Sequence, residues 1–154
     1  MTQIQRAAKG ELTEEIRKTA MDEGLSPELV RSRVAAGQIV IPSNKNRESR
    51  VIGIGKGLRT KVNASIGTST EIADISMEVE KARIAEKYGA DTLMDLSVGG
   101  DISAIRKAVM DSIKLPVGTV PLYEAFAKAI EKYGSAVNMP DELLWEITEK
   151  QCAE

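Results

Sequence analysis

Asn63, Ser65, Asp95, Ser97 and Tyr123 are side chains whose types and spacing could hold a polar ligand. Asn63 and Ser65 stand two residues apart, as do Asp95 and Ser97, so in an extended strand each pair shares a face. They fall in Lys61-Val62-Asn63-Ala64-Ser65-Ile66-Gly67-Thr68-Ser69 and in Thr92-Leu93-Met94-Asp95-Leu96-Ser97-Val98-Gly99-Gly100. A third stretch, Pro116-Val117-Gly118-Thr119-Val120-Pro121-Leu122-Tyr123, ends on the tyrosine. Polar groups at the exit of apolar strands need partners if buried. A polar substrate would supply them; so would the turns and caps that Ser, Asn and Asp make. Met94 is polarizable, but methionine is mostly a core residue. Lys61 could present a charge to a ligand or point outward at a strand start. Gly99-Gly100 before a helix could bring amides to an anion, or form a plain tight turn. Gly55-Lys56-Gly57 lacks the Gly-x-x-x-x-Gly-Lys-Ser/Thr spacing of a phosphate loop.

What is missing narrows the chemistry. There is no histidine, the commonest general acid/base and metal ligand, and one cysteine, Cys152. No nucleophile–base pair, metal-ligand spacing or paired acid/base signature stands out, so no catalytic and no metal-binding residue is assigned. A lone cysteine makes no intrachain disulfide and fits a reducing compartment. A net charge of −2 gives no electrostatic reason to expect nucleic acid. No signal-peptide run opens the sequence, and no stretch approaches the ~18 apolar residues of a membrane helix. The expectation is a soluble, cytoplasmic protein.

The elements that must position these residues are legible from caps and periodicity. Aromatic residues are only 3% of the chain, so Ile, Leu, Val, Ala and Met must build the core. Thr13 is the expected cap of a helix over 14–23, with Ile16, Ala20 and Met21 inward and Gly24 as its stop. Ser26 with Pro27 opens a second helix, with Leu29, Val30 and Val34 as its stripe. Residues 38–42 and 51–55 read as short strands that could pair as a hairpin. Strands are then expected at 60–66, 92–96 and 116–120. They alternate with helices at 71–88 (capped by Thr68, Ser69 or Thr70), at 102–112 (capped by Asp101), and from Pro121 to Gly134. The 71–88 helix should bury Ile72, Ile75, Val79, Ala82 and Tyr88. The helix after Pro121 should bury Leu122, Ala125, Phe126, Ala129, Ile130 and Tyr133. Pro140 opens a last helix. The fold class is α/β: an N-terminal region of helices and a short β-hairpin over 1–58, then three βα units with right-handed crossovers over 59–154. The units alone do not separate an open sheet from a barrel, which takes eight such units and roughly 250 residues.

The three long stretches, in this order and spacing, resemble the phosphomethylpyrimidine synthase family of thiamine biosynthesis, as does the run from Val34-Ala35-Ala36-Gly37 to Ile41-Pro42-Ser43-Asn44. The resemblance covers nearly the whole chain. It implies the first three βα units of a truncated TIM-type barrel, in a non-standard radical S-adenosylmethionine group. The group converts 5-aminoimidazole ribotide into 4-amino-5-hydroxymethyl-2-methylpyrimidine phosphate, a lyase reaction. It further implies, for the full-length family, S-adenosylmethionine, a [4Fe-4S] cluster on a three-cysteine motif, a zinc site with later histidines, and homodimers. Met94 and Tyr123 match family substrate-binding positions. Ser65 stands where the family commonly has asparagine, and Asn63 matches a second family asparagine. Cys152 is not in the cluster motif. The chain therefore resembles the N-terminal portion of the enzyme and is expected to bind no cofactor and be inactive alone. The alternatives are a non-catalytic binding or assembly module of the same fold, or a fragment of the paralogous hydroxybenzimidazole synthase.

Overall fold

The computed structural model describes residues 1–154, in two compact units, Met1–Lys61 and Val62–Glu154. The first is built from three helices and a hairpin. Helix α1 (Gln3–Ala8) opens with a reciprocal cap between Thr2 and Gln5. Helix α2 (Glu14–Glu23) starts where Thr13 Oγ1 accepts the Ile16 N–H at 3.2 Å and stops at Gly24, whose φ of +65° is left-handed. Ser26 caps α3 (Pro27–Ala35), with Pro27 in its first turn. Strands β1 (Ile39–Val40) and β2 (Ile54–Gly55) pair antiparallel, the expected hairpin. Ala7, Ile16, Ala20, Val30, Val34, Ile39 and Ile41 form one buried cluster. Met21 and Leu29, expected inward, are exposed. Lys61 neither faces a ligand nor points free: its Nζ lies 2.7 Å from Glu23 Oε1 and donates to the Arg59 carbonyl at 2.8 Å.

The second unit alternates strand and helix: β3 (Asn63–Ile66), α4 (Ile75–Lys87), β4 (Thr92–Asp95), α5 (Ile102–Ser112), β5 (Val117–Thr119) and α6 (Pro121–Tyr133). A 3-10 turn (Ala136–Asn138) leads into α7 (Asp141–Ala153). The strands form one parallel sheet in the order β3-β4-β5. Ile66, Leu93, Ile105, Val109 and Leu115 are buried in one core with Ala82, and Ala64 and Val117 pack against it. Each fully buried aliphatic side chain contributes about 1.5–3 kcal/mol. Alternation therefore assigns Ala64, Ile66, Leu93 and Val117 to the face covered by helices, and leaves the residues between them on the other face.

Two helices differ from the sequence pattern. Helix α4 begins at Ile75 rather than near 71, because Asp74 caps it: Oδ1 accepts from Ser76 N at 2.8 Å and Met77 N at 3.2 Å. Ser69 instead closes a separate turn, accepting the Ile72 N–H at 3.0 Å. Ile72 thus lies outside the helix and is exposed, as is Tyr88. In α6, Ala125 and Ala129 are buried as expected, but Leu122, Phe126, Ile130 and Tyr133 are exposed and Glu124 is buried in their place.

Candidate functional site

The parallel register aligns Ser65 with Met94 and Met94 with Gly118, one row across all three strands. Paired residues in a sheet share a face, so this row lies opposite the helix-covered side, with Asn63 and Thr92 one step behind it. Asn63 and Ser65 are exposed, and Met94 and Gly118 half-buried. Thr92 Oγ1 donates to Asn63 Oδ1 at 2.8 Å, which ties the amide to the neighbouring strand. Tyr123 is in the first turn of α6, four residues past the end of β5, and is exposed. The strand face thus brings together Asn63, Ser65 and Met94, with Tyr123 just beyond the carboxyl end of the last strand. Parallel sheets collect ligands at that end.

Asp95 and Ser97 do not join this row. Asp95 pairs in register with Ile66, on the helix side, and its Oδ1 accepts both the N–H (3.0 Å) and the hydroxyl (2.5 Å) of Ser97. Ser97 Oγ in turn accepts the Thr68 N–H at 3.2 Å, and Thr68 Oγ1 donates to the Gly99 carbonyl at 2.6 Å. These groups hold the two strand-exit turns against each other. Gly99 is part of that packing, since a Cβ there would collide with the Ser69 carbonyl. Asp101 caps α5, accepting the Ala104 N–H, so a carboxylate already occupies the N-terminal end of that helix.

Sequence reasoning missed a buried polar network at the start of α6. Glu124, 1% exposed, accepts from Arg106 Nη1 (2.9 Å), Gln151 Nε2 (2.9 Å) and Ser103 Oγ (3.2 Å), and lies 2.9 Å from Lys128 Nζ. Burial alone would raise the Glu124 carboxyl; hydrogen bonds from Lys128, Arg106 and Gln151, and the Arg106 charge, outweigh it and hold it at about 2. Arg106 also donates Nε to Glu154 at 2.6 Å, and Gln151 Oε1 accepts from Thr119 Oγ1 at 2.6 Å. The end of α7 is thereby tied to the end of β5 and the first turn of α6, beside Tyr123. The signal available in the sequence was the pair Glu124 and Lys128, four apart on one helix face. An open cavity of about 640 Å³ beside this network is lined by Gly99, Asp101, Lys128 and Lys150 among others, and by none of Asn63, Ser65, Met94 or Tyr123.

The sequence of residues 2–154 matches the family model described as the radical SAM ThiC family. The chain belongs to the radical SAM ThiC family. Phosphomethylpyrimidine synthase 1 of Methanosarcina barkeri is 58% identical over 98% of this chain and 35% of its own length. The phosphomethylpyrimidine synthase of Methanocaldococcus jannaschii is 50% identical over the whole chain and 36% of its own. The 5-hydroxybenzimidazole synthase of Desulfuromonas acetoxidans is 55% identical over 98% of this chain and 35% of its own. The chain therefore spans about a third of the length of the ThiC-family relatives it matches. The family name carries an iron–sulfur cluster with it for the full-length proteins, and the residues present here do not fit one. No three His, Cys, Asp or Glu side chains are grouped to hold a metal ion, and Cys152 is exposed and single. No helix is long and apolar enough to cross a membrane.

Proposed function

We propose that this chain supplies the first three βα units of a barrel in a thiamine-pyrimidine synthase, and that its strand ends form part of the pocket for 5-aminoimidazole ribotide. The observation that carries this reading is the row Ser65–Met94–Gly118 on the uncovered sheet face, with Tyr123 beyond it. In this reading Asn63 and Ser65 offer an amide and a hydroxyl to the polar edges of the nucleotide. Met94 offers a soft apolar surface to the heterocycle, and Tyr123 a phenol at the rim. None of them is a catalytic residue. The chain by itself turns nothing over, because radical chemistry starts at a cluster and its cofactor and no side-chain group here is placed to hold a metal.

A second reading is favoured by the 55% identity to a 5-hydroxybenzimidazole synthase: the same pocket serves that branch, which the resemblance starts from the same ribotide. Calorimetric titration of the chain with 5-aminoimidazole ribotide tests the shared pocket. Micromolar binding that weakens measurably in Met94→Ala and in Tyr123→Ala supports it. No binding, or binding indifferent to both substitutions, removes it.

A further inference from the structure

Gly118 has no backbone reason to be glycine, since its φ is not positive. Its reason is a neighbour. A Cβ at 118 would overlap Met94 Sδ, well short of van der Waals contact distance, with Met94 Cε 3.4 Å away. The Met94 thioether thus occupies the volume that a side chain at 118 would fill. Met94 rises from β4 with Gly118 on one side and Ser65 on the other. Its side chain therefore leans toward β5 and away from Ser65, which stays exposed. The open face is asymmetric as a result. There is a low floor over Asn63 and Ser65, carrying the donors and acceptors, and a sulfur wall over Gly118.

We propose that Gly118 is a positioning residue for ligand binding: by lacking a side chain it lets Met94 lie over β5, which keeps the floor above Ser65 open to a flat heteroaromatic ring. This rests on the reading of the site as a nucleotide pocket. A ring on that floor meets the Met94 sulfur at its edge, the geometry sulfur–aromatic contacts favour. A side chain at 118 sends Met94 back over Ser65 and closes the floor. The atoms displaced are the far end of a flexible side chain, so the substitution moves Met94 and spares the strand.

The test uses the 154-residue chain with ¹³C-methyl methionine. The Met94 signal is assigned by Met94→Leu. In Gly118→Ala the Met94 methyl signal is expected to move while the signals of the remaining methionines stay in place. Affinity for 5-aminoimidazole ribotide should fall about tenfold, equivalent to ~1.4 kcal/mol. In a Met94→Ala background the same Gly118→Ala change should cost nothing further, since there is no thioether to displace. An unmoved Met94 signal, or an equal loss of affinity in both backgrounds, overturns the proposal. If Gly118→Ala unfolds the chain, rescue by Met94→Ala supports the coupling and failure to rescue overturns it. Absence of ribotide binding by the unsubstituted chain removes the ligand reading; the methyl shift then decides separately whether Gly118 sets Met94.

Discussion

Arg106 on α5 and Glu124 on α6 form an ion pair at 2.9 Å with side chains 3% and 1% exposed. Two charges at this depth are costly unless each is saturated by further hydrogen bonds. They are: Glu154, Ser103, Lys128 and Gln151 complete the set. Removing one partner leaves the other buried without its counter-charge. Arg106→Leu and Glu124→Leu are each expected to destabilise the fold by about 3–5 kcal/mol. The double variant should lose clearly less than the sum of the two. Urea unfolding of all four chains closes the cycle, and additivity within error would mean the pair is not coupled.

The same network sets an acid limit. Glu124 titrates at about 2, well below the ordinary carboxylate value of 4.5. A carboxyl depressed by folding contributes stability that is complete above its unfolded value and is lost as pH falls through the folded one. The loss should therefore run from about pH 4.5 down to about 2 and amount to ~3 kcal/mol. In Glu124→Gln that part of the pH dependence should vanish, leaving a chain less stable at pH 7 and flatter in acid. Denaturant midpoints measured across this range read it directly.

The start of α4 can be checked by caps. Asp74→Ala should cost about 1 kcal/mol, the usual value of an N-cap, while Thr70→Ala should be close to neutral. Equal costs would place the helix start where the sequence pattern alone expects it.

That helix shows where local reasoning stops. Thr13, Ser26 with Pro27, Asp101, Gly24 and Gly134 are each the single cap or stop in their neighbourhood, and each acts as read. Around 68–74 four candidates compete, and tertiary contact decides among them. Thr68 is committed to Gly99 and Ser69 to its own turn, so Asp74 is left to cap. The same limit applies to α6, whose apolar stripe was legible but whose inward face follows the buried Arg106 instead. At the site, period-two alternation was enough to put Asn63 and Ser65 together. It could not align Ser65 with Met94 and Gly118, because register between parallel strands is set by the intervening crossovers. The commitment of Asp95 and Ser97 to a turn follows from the same register, which places Asp95 opposite Ile66 on the helix side.

In the hairpin, Gly55 should prove intolerant of any side chain. Its φ is +146°, a region L residues rarely adopt, and a Cβ there would collide with the Gln38 carbonyl, which is backbone and has nowhere to yield. Gly55→Ala is expected to cost about 2 kcal/mol or more and to free the β1–β2 pairing. Amide exchange at Lys56, whose N–H donates to Gln38 O at 2.9 Å, should accelerate in step with the loss. Unchanged protection there would show that the hairpin absorbs the side chain.

Ser65 offers the most direct gain of function. The residue is exposed on the open face, directly opposite Met94. A hydroxyl reaches one atom of a ligand above it, whereas an amide presents a donor and an acceptor side by side. Ser65→Asn should add one net hydrogen bond of about 1 kcal/mol, tightening the ribotide roughly fivefold. Its stability should change little, because nothing on that face crowds the position. Ser65→Ala should weaken binding by a similar factor. Calorimetry on the three chains ranks them, and an order other than Asn, Ser, Ala would place the polar edge of the ligand over Asn63 instead, where Asn63→Ala then becomes the variant that abolishes binding.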